Sequence, residues 1–85
     1  MIVRTARDLG AVARDARLRR GWTQAELASA IGTSRQWVIA FEQGKPSAEI
    51  GTVLRLLATL GYAFDAVPAP SPVGDVDLDE LLREF

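Results

Sequence analysis

The stretch GWTQAELASAIGTSRQWVIAFEQGK, residues 21–45, constrains the fold most, because it holds two short helical patterns around one glycine. Thr23 and Glu26 have the spacing of a capping box, in which each side chain satisfies a free backbone N–H of the first helical turn. Gly32 is placed to end that helix in a left-handed conformation. Ser34 can cap the helix that follows. The stretch therefore predicts two short helices joined by a tight turn.

Two further helices are predicted on either side of this pair. Thr5 is a good N-cap for a first helix, Asp8 adds negative charge to its first turn, and apolar residues recur at a helical period as far as Leu18. Ser47 is predicted to cap a fourth helix that ends at Gly61. This helix runs through the apolar residues Ile50, Val53, Leu54, Leu56, Leu57 and Leu60.

The chain changes character after the fourth helix. Residues 62–67, YAFDAV, alternate in the manner of a short strand, yet no second strand pattern exists to pair with it. Residues 68–75, PAPSPVGD, form a Pro-rich linker. Residues 76–85, VDLDELLREF, form an acidic amphipathic tail that is either disordered or folds on a partner. We therefore divide the chain into a domain over 1–67, a linker over 68–75 and a tail over 76–85.

Composition weighs against an enzyme. The 85 residues include no histidine, no cysteine and a single lysine, Lys45, so the commonest general base and metal ligands are missing. We expect no cofactor and no metal. No apolar run is long enough to span a membrane, and the N-terminus lacks the apolar core of a signal peptide, which favours a cytoplasmic protein.

The charge is unevenly distributed along the chain. Residues 1–45 carry eight Lys/Arg against four acids, whereas residues 46–85 carry two arginines against seven acids. The net charge of −1 thus conceals a basic first half and an acidic second half. Such an asymmetry indicates two different partners.

Two helices around a glycine turn, with another helix before them, predict a helix-turn-helix, whose second helix enters the major groove of DNA. Arg35 can bind guanine O6 and N7, and Gln36 can bind adenine N6 and N7. Trp37 can lie against a thymine methyl, and Ala40 leaves room for the groove floor. The backbone phosphates are expected to meet the two ends of the helix pair, at Thr23, Gln24, Gln43 and Lys45.

Each of these assignments has a plainer alternative. Arg35 and Gln36 can be an ordinary solvated helix surface, and Trp37 can belong to the flank of the core beside Phe41. The arginines of the first helix fit a solvated face, with some long-range attraction to DNA.

Four segments, Gly21-Trp22-Thr23-Gln24, Glu26-Leu27-Ala28, Ile31-Gly32 and Phe41-Glu42, resemble the phage-repressor-like (Xre) helix-turn-helix family. Within that family the chain is most similar to HipB-type antitoxins of toxin–antitoxin operons, over about residues 5–67. The resemblance implies an all-α, four- to five-helix, lambda-repressor-like domain. It also implies one short C-terminal strand that pairs with its two-fold mate across a dimer.

The resemblance also implies roles for single residues. Gln24 occupies the family's phosphate-contacting position, Arg17 and Glu42 match a partly buried salt bridge, and Ser34, Arg35, Gln36 and Ala40 occupy base-facing positions. Trp37 is bulkier than the small residue usual in the family, and Ala40 lacks the polar side chain of some relatives. The dimer strand comprises Tyr62, Ala63, Phe64, Asp65, Ala66 and Val67. A possible toxin-binding tail presents Leu78, Leu81, Leu82 and Phe85.

The function implied by this resemblance is an antitoxin that binds a palindromic operator as a homodimer, represses its own operon and neutralises a HipA-like kinase. Such a protein is expected in the bacterial cytoplasm, on the nucleoid when bound to DNA. Two alternatives stay open: a stand-alone Xre-type repressor without a toxin, and a protein-interaction adaptor that no longer binds DNA. A small hydrolase is the weakest alternative, because histidine and cysteine are absent.

Overall fold

A computed structural model describes residues 2–69, which form four α-helices. The helices are α1 (Ala6–Arg19), α2 (Gln24–Ile31), α3 (Arg35–Glu42) and α4 (Ile50–Thr59). The predicted tail and most of the predicted linker lie outside the described residues. None of the helices in residues 2–69 is long and apolar enough to cross a membrane.

The first three helices begin where the sequence places their caps. The Thr5 hydroxyl accepts from the Asp8 N–H at 3.0 Å, and the Ser34 hydroxyl accepts from the Trp37 N–H at 3.1 Å. Thr23 and Glu26 form both bonds of the capping box, each 3.0 Å long. Gly32 ends α2 with φ +75°, a conformation that an L side chain would strain. Local capping chemistry therefore sets the lengths of these helices.

The predicted start of α4 is wrong. Its N-cap is Glu49, which makes no side-chain capping bond, whereas Ser47 is exposed and lies outside the helix. Ala48 packs against the core from the non-helical segment before α4, and the helix begins only after it, at Ile50. Two of the apolar residues of α4 face solvent: Ile50 is 65% exposed and Leu54 is 47% exposed.

The core lies where α3 packs against α1 and α2, and where α4 covers α2. Helices α1 and α3 approach backbone to backbone, because a Cβ added at Gly10 would overlap the carbonyl oxygen of Phe41. Leu9, Trp22, Trp37 and Ala48 border the core. The buried apolar residues are Ala13, Ala16, Leu27, Ala28, Ile31, Val38, Phe41, Val53, Leu56, Leu57 and Leu60.

Residues 62–67 contain neither helix nor strand in the single chain, and all six are exposed. The Tyr62 N–H donates to the Leu57 carbonyl at 2.8 Å, which fixes where this segment leaves α4. A strand that pairs only with its two-fold mate forms no ladder within one chain. The pairing of Tyr62–Val67 across a dimer therefore stays a prediction.

A buried ion pair joins α1 to the end of α3. Arg17 Nε donates to Glu42 Oε2 at 2.7 Å, and Arg17 Nη2 donates to Glu42 Oε1 at 3.0 Å. The two side chains are only 8% and 2% exposed. Arg17 Nη1 also donates to the Trp22 carbonyl at 2.8 Å, and Gln24 Nε2 donates to Glu42 Oε1 at 3.2 Å. One carboxylate thus ties together α1, α2 and α3.

The bond to Glu42 raises the pKa of Arg17 above its ordinary value, although burial acts in the opposite direction. A raised pKa on a base adds stability that is present below the unfolded-state pKa and lost only as the pH rises through the folded-state pKa. Since the ordinary pKa of arginine already lies far above neutral pH, Arg17 remains charged at any pH the folded protein meets. The Arg17 side of the ion pair is therefore not a pH switch.

We predict that removing one partner of the ion pair destabilises the domain more than removing both. Glu42→Leu leaves a buried guanidinium unpaired and should lower the free energy of unfolding by about 3–5 kcal/mol. The double variant Arg17→Met/Glu42→Leu should regain most of that loss, because apolar side chains of similar volume need no partner. Urea unfolding of both single variants and the double variant measures the coupling. Additive losses would show that the two side chains do not depend on each other.

Candidate nucleic-acid interface

The outer face of α3 is polar and exposed, opposite the core face of Val38 and Phe41. Gln36, Ala40 and Gln43 follow one another at helical spacing, so their side chains share one face. Gln36 and Gln43 are exposed and Ala40 is half-buried. The small Ala40 separates the two amides, so this face can approach a flat surface closely.

Arg35 begins α3 and is exposed. It makes no hydrogen bond or ion pair with any residue between 2 and 69. Its five donors are therefore available to a ligand in front of α3, in the planar arrangement that suits paired acceptors. Ser34 differs, because its hydroxyl oxygen already caps the helix at the Trp37 N–H. The Ser34 O–H can still donate.

Trp37 is turned toward the core more than toward solvent. It is half-buried, and its ring stacks on Phe41 with a centroid separation of 5.2 Å and an interplanar angle of 11°. The packing alternative for Trp37 is therefore observed. A base contact from Trp37 would use only the exposed edge of the ring.

The start of α2 offers two backbone donors. The capping box uses the N–H groups of Thr23 and Glu26. The N–H groups of Gln24 and Ala25 have no backbone acceptor within the described residues. Together with the positive end of the helix dipole, they form the kind of site that binds a phosphate.

The Gln24 side chain is less free than its sequence position suggests. It is half-buried, and its amide nitrogen donates to Glu42 at 3.2 Å. The ion pair therefore fixes the direction in which Gln24 points. The second hydrogen of this amide has no hydrogen-bond acceptor, and the Gln24 backbone N–H has no backbone acceptor, among residues 2–69.

The end of α3 supplies side chains rather than backbone groups. The N–H groups of Gln43, Gly44 and Lys45 donate to carbonyls of Ile39, Phe41 and Ala40. Gln43 and Lys45 are exposed. Any contact between this turn and a phosphate therefore runs through the Gln43 amide and the Lys45 ammonium.

Two supporting contacts were missed from the sequence. Arg55 of α4 donates to the carbonyl of Ile31 at 3.0 Å, which satisfies the last turn of α2. The Arg20 guanidinium lies 5.7 Å from the centre of the Trp22 ring, just before α2. Neither pair has a sequence signature, because exposed arginines occur throughout the chain.

Known proteins are similar to this chain in sequence and in fold. Residues 8–67 match a family described as a helix-turn-helix domain. The chain is 40% identical over 63 residues to y4mF, an uncharacterised HTH-type transcriptional regulator of Sinorhizobium fredii (strain NBRC 101917 / NGR234). That match covers 74% of this chain and 83% of the relative.

Solved structures of HipB have a similar fold. HipB in complex with the O4 20mer has a TM-score of 0.75 and 24% identity, over 82% of this chain and 99% of that one. HipB in the HipA–HipB–O2–O3 complex has a TM-score of 0.74 and 23% identity, with the same coverage.

The family match spans all of α2, α3 and α4 and most of α1, and it includes the Arg17–Glu42 pair that holds them together. The exposed face of α3 and the free donors of α2 lie within it. The chain belongs to the helix-turn-helix family of DNA-binding transcriptional regulators.

Proposed function

We propose that this protein is a dimeric antitoxin that represses its own operon and neutralises a kinase toxin similar to HipA. The observation that carries the DNA-binding half is that Arg35, next to Gln36 at the start of α3, bonds to no residue between 2 and 69. The bonds of Glu42 to Arg17 of α1 and Gln24 of α2 hold α3 in place. The similarity to HipB, which is seen with HipA in the HipA–HipB–O2–O3 complex, supports the antitoxin half.

Base readout falls to the first half of α3. A free guanidinium matches guanine O6 and N7, and the Gln36 amide matches adenine N6 and N7 in the major groove. Ser34 adds a hydroxyl donor, while Trp37 and Ala40 supply apolar contacts to thymine methyls. Because Gln24 and the α2 donors sit on the same rigid unit, they would contact the phosphates beside the groove. Thr23, Gln43 and Lys45 would contact phosphates at the two ends.

Substitutions on α3 and α2 should separate base contacts from phosphate contacts. A duplex library with a randomised central segment selects the preferred site of the wild-type protein. Arg35→Ala should then reduce affinity by about 1–3 kcal/mol and relax the preference at one base pair in each half-site. Gln24→Ala should weaken binding to all sequences alike. An Arg35→Ala protein that selects the same site with the same preference would contradict the role in base readout.

The dimer interface is proposed at the C-terminal segment. Exposed apolar side chains of Tyr62, Phe64 and Val67 line one groove with Ile2 and Val3. The groove continues onto the half-buried Leu9 and Val12 of α1. A contiguous apolar surface of this kind marks an interaction site, and strand pairing would satisfy the backbone of residues 62–67. Two α3 helices about one helical turn of DNA apart, ~34 Å, would then meet a palindromic operator.

A charged substitution in the groove tests the proposed dimer interface. Phe64→Asp should shift the dimer to monomer at micromolar concentration and lower DNA affinity, because a carboxylate would be buried between the two chains. Ile50→Asp is the matched control, since Ile50 is also an exposed apolar residue but lies outside the groove. Analytical ultracentrifugation distinguishes the two variants. Equal dimer stability in both would place the interface elsewhere.

The toxin contact is proposed at the acidic tail, residues 76–85, reached through the linker of residues 68–75. Leu78, Leu81, Leu82 and Phe85 alternate there with acidic residues, a pattern typical of segments that fold on a partner. The DNA-binding domain of residues 1–67 would then be free to hold the operator at the same time. The complex would act in the bacterial cytoplasm, on the nucleoid.

Co-purification tests the proposed toxin contact. Tagged protein expressed from its native operon should co-purify with a stoichiometric, kinase-sized product of the neighbouring gene. A variant with Leu81→Asp and Leu82→Asp should lose that partner while it still binds operator DNA. A pure homodimer that nonetheless binds its own promoter would favour the stand-alone repressor, which the name of y4mF also fits.

A further inference from the structure

We propose a second phosphate-binding site on α1, where Arg7 and Arg14 border a groove beside the end of α3. Its ligand would be the DNA backbone flanking the base pairs that α3 contacts. The inference rests on the proposed DNA-binding function and extends the protein–DNA contact to a helix outside the helix-turn-helix.

The groove is formed by one stripe of α1 and the last turn of α3. Arg7, Ala11, Arg14 and Leu18 follow each other along α1 at helical spacing. Asp15, Glu42 and Gln43 complete the lining. Gln43 is itself expected to contact a phosphate, so the groove continues the same surface.

The charge in this groove is positive because both acids are already engaged. Asp15 pairs with Arg19 at 2.8 Å, and Glu42 is occupied by Arg17 and Gln24. Neither Arg7 nor Arg14 makes a hydrogen bond or ion pair with any residue from 2 to 69. Both are exposed, and the small Ala11 lies between them. The two guanidinium groups therefore border a groove whose two lining carboxylates, Asp15 and Glu42, both already have cationic partners among residues 2–69.

The groove is rigidly attached to the base-contacting helix. A Cβ at Gly44 would lie 2.8 Å from the Cα of Arg7, so α1 passes directly against the turn after α3. Gly10 brings the next turn of α1 against the carbonyls of Phe41 and Glu42. Arg7 and Arg14 are seven residues apart, about 10.5 Å along the helix axis. Once α3 enters a groove, α1 presents two cations at a fixed position beside the DNA.

DNA backbone suits this groove better than a compact anion does. The two cations are separated along the helix, and duplex DNA offers a row of phosphates with one charge per ~1.7 Å of axis. Arginine binds phosphate oxygens in paired hydrogen bonds. Contacts of this type add affinity without sequence preference, which is how they can be measured separately from Arg35.

The test compares Arg14→Gln with Arg55→Gln on a mixed-sequence 30-bp duplex, by fluorescence anisotropy between 50 and 300 mM KCl. Both substitutions remove one positive charge, but Arg55 lies on α4, lines neither groove and bonds to the Ile31 carbonyl. For Arg14→Gln, the slope of log K against log[salt] should fall by about 0.9 for each protomer bound. Affinity at 0.1 M salt should fall about 8-fold per protomer. Arg55→Gln should keep the wild-type slope, and Arg14→Lys should restore it.

The outcomes separate this site from the proposed function. Equal slopes in Arg14→Gln and Arg55→Gln, with Gln24→Ala still weakening binding, would overturn the α1 site and leave the DNA-binding function standing. A wild-type protein that does not bind the duplex would overturn the DNA-binding function itself. An Arg14→Gln protein that loses a protein partner while its salt slope is unchanged would instead assign the groove to an acidic protein surface, again overturning the phosphate site. Thermal unfolding of each variant verifies that it is folded.

Discussion

The ion pair between Arg17 and Glu42 is the interaction on which the rest of this small domain depends. It takes two charges out of water, a transfer that is unfavourable unless the geometry satisfies them fully. Here Arg17 and Glu42 form two hydrogen bonds with each other, Arg17 also donates to the Trp22 carbonyl, and Glu42 also accepts from the Gln24 amide. The fully buried apolar side chains of α1 are the small Ala13 and Ala16, with the half-buried Leu9 beside them, so the polar bonds of Arg17 help to position that helix. Because α1, α2 and α3 share one carboxylate, their mutual orientation has little freedom.

This rigidity explains how two short helices can present a contact surface. Helices α2 and α3 have eight residues each, a length that would be marginal in water without tertiary packing. Caps at both N-termini and Gly32 between them limit their length, and Glu42 fixes their relative position. The backbone of α3 is thus pre-positioned, so binding to DNA has to order only the exposed side chains, such as Arg35 and Gln36.

Local rules predicted the parts of the fold that local interactions decide. The caps at Thr5, Thr23 and Ser34 and the left-handed Gly32 are all found, since each depends on residues three or four positions away. Ser47 was a sound local candidate, but the packing of Ala48 delays the helix to Ile50. The exposure of Ile50 and Leu54 could not be predicted, because helical spacing alone does not say which side of α4 meets a neighbour.

Long-range contacts set the limit of what the sequence could predict about the site. Arg17 and Glu42 are 25 residues apart, and their pairing followed from family resemblance, not from any pattern in the chain. The bond from Gln24 to Glu42 was not foreseen, although it governs how Gln24 points. The positive groove at Arg7 and Arg14 was equally hidden, because its charge depends on which acids Arg17 and Arg19 occupy.

The proposed function depends most on α3 lying in the major groove, and dimethyl sulfate protection of a selected duplex tests this directly. The reagent methylates guanine N7 in the major groove and adenine N3 in the minor groove. Bound protein should protect guanine N7 within each half-site while adenine N3 stays reactive. Protection of adenine N3 with guanine N7 left open would contradict the entry of α3 into the major groove.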